Sequence, residues 1–273
     1  MRRETYTSCT AGRPGLLPCI ESLPARAAML RDASACRRCW LRPLIGPSPA
    51  NEGASAAHGG VGVLQLHRGD VAYRKGETLH ALFVVREGLV KSRALSYEGQ
   101  DKITALHLPG EMFGLSAITT GHYIFDALAV ESSVVCAVPF ALLAEHIQHD
   151  VVLERRLFQV LSCASGRHQA FSEAIEHLDA EERIAALLLN LSERYSRTGH
   201  DPDVFPLPIT RVEMANYAGL AHETVSRVVS QLQSDGVVRL SDSLARILRR
   251  DELESIASEC DWSDHCKCDF FGC

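Results

Sequence analysis

Two groups of residues have types and spacing that suit chemistry. The first is built on thiols: Cys36 and Cys39 form a C-x-x-C pair in ACRRCW, and eight more cysteines stand at 9, 19, 136, 163, 260, 266, 268 and 273. Thiolates this close can share one soft metal centre, zinc included, or open and close as a dithiol switch. The flanking Arg37 and Arg38 are expected to favour the thiolate form and to offset negative charge at such a centre. The second group is Glu223, Ser226 and Arg227, in AHETVSRVV. An arginine gives a bidentate pair of hydrogen bonds to guanine O6 and N7, a glutamate accepts from a cytosine amine, and a serine serves either role. Glu and Arg four apart are equally an ordinary salt-bridge pair on a solvated helix.

Each group needs elements to position it. The segment ITRVEMANYAGLAHETVSRVVSQLQSDGVVRL predicts a helix, a turn around Gly219, a second helix from about His222 to Ser234, a stop at Gly236 and a strand. Met214, Tyr217, Leu220, Val225, Val228, Val229 and Leu232 form its interior face, which leaves Glu223, Ser226, Arg227 and Ser230 outside. The strands VVRL and ARILR, turning at 241–243, add a β wing, and the whole reads as a winged helix-turn-helix for double-stranded DNA. Arg211, Arg239, Arg246, Arg249 and Arg250 are then expected mostly to neutralise phosphates.

Upstream, the glycines at 76, 88, 99, 110 and 121 recur at intervals of 12, 11, 11 and 11 between short apolar segments, the pattern of an antiparallel sandwich or barrel. Beyond Pro139 the period changes. Leu157, Leu161, Ala164, His168, Phe171, Ile175 and Leu178 are spaced 4, 3, 4, 3, 4, 3, a heptad seam on one long helix. Pairing with a second copy is the natural reading, and packing against the chain's own barrel is the alternative. Asp179 followed by Glu182 opens a further amphipathic helix to about 195, and DPDVFPLP breaks the chain before the helix-turn-helix. The Gly/Pro/Ala/Ser-rich stretch 43–62 has linker composition. The expected fold is α+β: 1–60 a cysteine-bearing arm and linker, 61–140 the antiparallel sandwich or barrel, which resemblance to a known family makes a sensory β-roll (jelly roll), 141–178 a dimerisation helix region, 179–250 the winged helix-turn-helix, and 251–273 an acidic tail.

The totals are globular: 273 residues, 46% hydrophobic, 23% charged, net charge −6. The acidic sum argues against nucleic acid until it is divided by region. Residues 1–49 hold eight Arg against three acids, residues 207–250 six Arg against four acids, and residues 251–273 seven acids against one Lys. The tail sets the sign, and the DNA-reading segment is basic. No apolar run approaches the ~18 residues of a membrane span and no signal-peptide stretch is visible, so a cytoplasmic protein without membrane contact is expected. Cytosolic cysteines are poor candidates for a disulfide framework. No nucleophile with its base, phosphate loop or H-E-x-x-H motif is present, which argues against an enzyme.

The string E-T-V-S-R in TRVEMANYAGLAHETVSRVVSQLQSDG resembles the recognition helix of the CRP/FNR family of bacterial regulators, and in particular the E-x-x-S-R motif of its anaerobic, FNR-like branch. GLVKSRALSYEGQDKITALHLPGEMFGLSAI resembles the family's β-roll, ESSVVCAVPF its last strand, and LDAEERIAALLLNLSERY the helix that leads into the DNA-binding domain; residues 64 to 250 are covered. The resemblance implies a homodimeric transcriptional regulator, an activator that works with RNA polymerase, whose Glu223, Ser226 and Arg227 read half-sites of a TTGAT/ATCAA palindrome. It departs at Ala221, where relatives usually carry Ser or Thr.

The resemblance also bears on the signal. The cyclic-nucleotide branch holds its phosphate with a Gly-Glu turn followed by an Arg and a small hydroxyl residue; Gly110, Glu111 and Gly114 keep the turn, but TTGHYIFDALA has no Arg, so no cyclic nucleotide is expected. The anaerobic branch ligates an oxygen-labile [4Fe-4S] cluster through three arm cysteines and one on a barrel strand. Cys136 stands at the strand position, and Cys36 and Cys39 resemble the arm pair. The third arm cysteine normally follows that pair, and WLRPLIGPSP has none; Cys19 is the provisional fourth ligand, ahead of Cys9. The expectation is an oxygen- or redox-responsive regulator of anaerobic genes. The alternatives are a regulator without a cluster, governed by its abundance or by thiol oxidation, in which Cys136 is core and Cys163 structural, and more remotely a small-ligand-binding module.

Overall fold

A computed structural model describes residues 28–29, 61–95 and 101–257, of which 28–29 and 170–176 are described as backbone alone. Two antiparallel sheets form the first half. One runs in the order β1-β2-β9-β4-β7 and the other β3-β8-β5-β6. Their strands are β1 (Ala28–Met29), β2 (Gly62–Leu66), β3 (Val71–Tyr73), β4 (Ala81–Glu87), β5 (Val90–Leu95), β6 (Asp101–His107), β7 (Met112–Phe113), β8 (Asp126–Ala129) and β9 (Ser133–Pro139). Non-consecutive neighbours such as β2 beside β9 are the mark of a rolled sandwich.

The glycine punctuation is physical. Gly76, Gly88, Gly110 and Gly121 all have φ between 72° and 88°, the left-handed region that side-chain-bearing residues avoid. Gly88 has a second reason, since a Cβ there would press into the Ser133 side chain and the Ser132 carbonyl. Between these turns, alternate residues of β2 point inward, and β4 and β9 bury nearly every side chain because both of their faces are covered.

Helix α1 (Ala117–Thr120) is a single turn within the roll. After β9 come α2 (Phe140–Ile147) and the 27-residue α3 (Val151–His177). Leu153, Leu157 and Val160 of α3 are buried in the core formed by β2, β4 and β9, and Leu161 is partly buried against it. Leu157 is therefore a core residue of its own chain: the alternative left open for the seam, packing on the chain's own barrel, describes its first two members. Ala164 and His168 lie further on, His168 exposed, and Leu178 packs on a second core; the side chains of Phe171 and Ile175 lie outside the described residues. A different stripe of α3 is left bare. Val151 (76% exposed) and Phe158 (61%) are seven residues apart on one face, with Val152 (71%) beside them.

Helix α4 (Ala180–Ser196) starts at the predicted capping box: the Asp179 carboxylate accepts from the Glu181 and Glu182 amides at 2.8 and 3.0 Å, and the Asp179 amide donates to Glu182 at 2.7 Å. Helices α5 (Arg211–Ala218), α6 (His222–Ser234) and α7 (Arg250–Ile256) follow, with a three-stranded sheet in the order β10-β12-β11 from β10 (Val204–Pro206), β11 (Val238–Leu240) and β12 (Leu244–Ile247). The wing thus has a third strand, drawn from the Pro-rich segment that the sequence marks only as a break. Among the described residues no helix is long and apolar enough to cross a membrane.

Candidate DNA interface and sensory site

Helix α5 is capped by Thr210, whose hydroxyl accepts from the Glu213 amide at 3.2 Å, and ends at Gly219 with φ 65°, the left-handed turn that lets α6 leave at a new angle. Val225, Val228, Val229 and Leu232 of α6 pack with Met214, Ala215, Tyr217 and Ala218 of α5, all buried. Burial of this stripe fixes the opposite face. Glu223, Arg227 and Ser230 are exposed there, and Ser226 is half-buried with its Oγ 3.5 Å from His222 Nε2. His222 is a further exposed member of this surface, and its i,i+4 spacing from Ser226 is the signal in the sequence that points to it.

Ala221 is extended at the N-cap of α6 and makes no side-chain cap bond. A serine there can accept from an orphan amide without moving the backbone. Ala221→Ser is expected to stabilise the fold by about 1 kcal/mol, read as a rise in melting temperature.

The arginines divide. Arg239 and Arg246 are exposed and face each other across the β11–β12 register. Like charges opposite one another disfavour a free sheet, so the pair is suited to a shared anion such as a phosphate. Arg211, at the start of α5, has one buried guanidinium nitrogen without a hydrogen-bond partner, and burial lowers its pKa. Arg249 and Arg250 correct the expectation. Arg249 donates to the Asp235 and Gly236 carbonyls and pairs with Glu252; Arg250 pairs with Asp203 at 2.8 Å and donates to Ser192 Oγ and the Pro202 carbonyl. Both fasten α7 to its neighbours instead of facing outward unpaired.

On the sensory side, Cys136 sits mid-way along β9, 4% exposed, between Val63 of β2 and Val84 of β4. Val63 is in turn the register partner of Ala28 on β1. Ala28, Val63 and Cys136 therefore form one row across three strands, with about 10 Å between the arm backbone and Cys136. Cys36 is eight residues beyond Ala28 and Cys19 nine before it, and an extended chain covers ~3.3 Å per residue, so all three arm cysteines can reach this row. A set of soft thiolates is the donor chemistry that iron–sulfur clusters use, so the residues fit such a group. Among the described residues no group of three or more His, Cys, Asp or Glu could hold a metal. Cys19, Cys36 and Cys39 lie outside the described residues. Cys163 is buried in α3, 3% exposed.

The Gly110–Glu111–Gly114 turn has a partner that its sequence does not announce. Glu111, 7% exposed, receives Arg194 Nε at 2.9 Å and Nη2 at 2.7 Å, with Arg167 Nη1 at 3.8 Å. Burial alone would raise its carboxyl, but Arg167 and Arg194 hold it down to about 2. A cavity of about 440 Å³ adjoins the pair, lined by apolar groups that include Phe113, Ile124 and Phe125 and by Arg167 and Arg194. In that cavity wall the imidazole of His107 bonds Ser92 Oγ at 2.8 Å and stacks on Phe113. Burial pushes His107 down to about 3, against the pull of Glu111 and with the help of Arg194 and Arg167.

These two groups act in different pH windows. Unfolded His107 gains a proton near its ordinary 6.5 while the folded imidazole stays neutral, so its contribution is complete above pH 6.5 and is lost as pH falls toward 3. Glu111 contributes fully above its ordinary 4.5 and loses that contribution as pH falls toward 2. Between pH 7 and 5 His107 dominates this pair. Stability is expected to fall there by about 1–2 kcal/mol on its account, and His107→Gln to flatten the melting temperature over that range.

Residues 63–150 match the cyclic nucleotide-binding domain and residues 182–256 the Crp-like helix-turn-helix domain. The chain is 37% identical over 183 residues to the transcriptional activator protein FnrA of Stutzerimonas stutzeri, which covers 67% of this chain and 75% of that protein. The chain belongs to the CRP/FNR family. Its CRP/FNR relatives include the fumarate and nitrate reduction regulatory protein of Escherichia coli K12, 32% identical over 70% of this chain and 77% of that one. Among solved structures it resembles FixK2 from Bradyrhizobium japonicum, with a TM-score of 0.65 and 26% identity over 72% of this chain and 98% of that one. A CRP/FNR chain with this helix-turn-helix is a DNA-binding transcriptional regulator, and the family is one of regulators, not enzymes.

Proposed function

We propose that this regulator answers oxygen or redox state, that it binds an FNR-box-like palindrome as a homodimer, and that Cys36, Cys39, Cys136 and, as fourth ligand, Cys19 hold a [4Fe-4S] cluster. The observation that carries the reading is the row Ala28–Val63–Cys136, which brings a cysteine-bearing arm alongside a strand cysteine. The likeness to FnrA and to fumarate and nitrate reduction regulators supports it. When bound, such a cluster supplies sensitivity to oxygen. The chain's own residues do the rest. Cys136 shares a core with Leu153, Leu157 and Val160 of α3, so holding the arm at the β2 edge also steadies the helix along which two chains pair. The bare stripe of Val151, Val152 and Phe158 supplies the apolar part of that pairing. Glu223, Ser226 and Arg227 read one half-site per subunit, Arg211, Arg239 and Arg246 contact phosphates, and activation requires a contact with RNA polymerase.

Glu111 is already committed to Arg194, which supports a signal other than a cyclic nucleotide. The experiment is anaerobic preparation of four serine variants, at Cys19, Cys36, Cys39 and Cys136, with iron and sulfide counted per chain. Near-complete loss in each supports the assignment. Full iron in Cys136→Ser sinks it, and full iron in Cys19→Ser alone moves the fourth ligand elsewhere.

A further inference from the structure

Arg194 belongs to the segment that matches the helix-turn-helix domain, and Glu111 to the segment that matches the cyclic nucleotide-binding domain. Their contact joins the two. The guanidinium spans both carboxylate oxygens, at 2.9 and 2.7 Å, and also donates to the Leu106 carbonyl at 2.5 Å and to Asn190 Oδ1 at 3.1 Å. The carboxylate is held from its own side by the Leu108 amide at 3.1 Å. Both side chains are under 10% exposed.

Further contacts share the boundary. Lys91 of β5 pairs with Glu213 of α5 at 2.6 Å, and Asn216 of α5 accepts from the Ile103 amide and donates to the Asp101 carbonyl of β6. Beneath them Leu89, Ile103, Leu106, Leu108 and Val130 of the roll share one apolar core with α4. Apolar burial holds surfaces together but does not set an angle between them, because it is non-directional. A buried guanidinium–carboxylate fork adds little net stability and fixes geometry.

We propose that Arg194 is a positioning residue for DNA recognition: its fork on Glu111 fixes the angle at which the winged helix-turn-helix leaves the β-roll, and with it the separation of the two recognition helices in the dimer. A dimer that reads a palindrome needs those helices about one DNA turn apart, so angular freedom at this joint appears as tolerance of wrong half-site spacing. The inference rests on the DNA-binding, dimeric reading above.

The test uses the full chain and two DNAs, an FNR-box-like palindrome and the same half-sites moved two base pairs apart, with Arg194→Gln, Arg194→Lys, Glu111→Gln and the double variant Glu111→Gln/Arg194→Gln. The wild type prefers the correct spacing, each single variant is expected to lose about tenfold of that preference, and the double variant loses no more than either single one. Arg194→Lys is the informative variant, because it keeps a cation beside Glu111 and lacks the fork. Affinity that falls equally on both DNAs, or a lysine that restores the preference, overturns the proposal, since either describes a merely structural pair. A second readout needs no DNA: exchange of the Ile103 amide is expected to quicken about tenfold in Arg194→Lys and Glu111→Gln while β9 amides hold. Unchanged exchange at Ile103 overturns the proposal. Failure of the wild type to bind either DNA counts against the operator reading, and the exchange result then judges Arg194 by itself.

Discussion

Arg227→Ala is expected to abolish the preference of this regulator for its palindrome while leaving the protein folded. Arg227 is exposed on α6, and the residues that hold the helix in place, Val225, Val228, Val229 and Leu232, point the other way. The cost therefore falls on binding. A bidentate arginine–guanine contact discriminates by about 1–3 kcal/mol, and a palindrome contains two, so specific affinity should drop by about 30-fold to 10⁴-fold. Affinity for unrelated DNA should change little, because that binding is carried by phosphate contacts such as those assigned to Arg239 and Arg246. Binding to both DNAs at one fixed salt concentration checks this. An equal loss on the two would make Arg227 a phosphate contact and remove it from base reading.

Phe158→Asp is the second large expectation. The ring is 61% exposed in the single chain, so an aspartate there costs the monomer little and its melting temperature should hold. In a dimer paired along α3 each copy would lose an aromatic contact of about 1.5–3 kcal/mol and gain a charge close to its own image. The dimer dissociation constant should rise by about 100-fold or more, measured by sedimentation, and palindrome affinity should fall with it. A variant that stays dimeric at micromolar concentration would move the pairing surface away from Val151 and Phe158.

The helix that carries this surface also shows where the sequence stops being informative. Leu157 and Leu161 lie on the predicted seam, but α3 has two apolar faces, and a heptad pattern cannot tell a face that meets the chain's own β-roll from one that meets a second copy. Local rules were readable wherever the cause is local. The glycines at 76, 88, 110 and 121 mark left-handed turns, Asp179 and Glu182 form the capping box, and the interior of the helix-turn-helix follows its apolar spacing. Long-range pairings were not. Glu111 and Arg194 are 83 positions apart, and nothing near either residue names the other. Arg249 and Arg250 look in the sequence like Arg239 and Arg246 because side-chain type does not reveal which carbonyls and carboxylates the fold brings within reach. Residues 204–206 join the wing as β10 through pairing with β12, while the prolines at 202, 206 and 208 suggest only a break. At the candidate cysteine site, the strand position of Cys136 was legible from the family resemblance, whereas the row that brings Ala28 alongside it emerges only from the pairing of β1 with β2.

On the reading proposed above, air controls DNA binding through Cys136 and the arm cysteines at 19, 36 and 39. The most direct measurement is palindrome affinity of one anaerobic preparation before and after exposure to air, with its visible spectrum recorded on the same sample. The expected result is a brown protein that absorbs in the thiolate-to-iron charge-transfer region, bleaches in air and loses palindrome affinity as it bleaches, with Cys136→Ser colourless and indifferent to air. A colourless wild-type protein that binds the palindrome equally well in both conditions would contradict it.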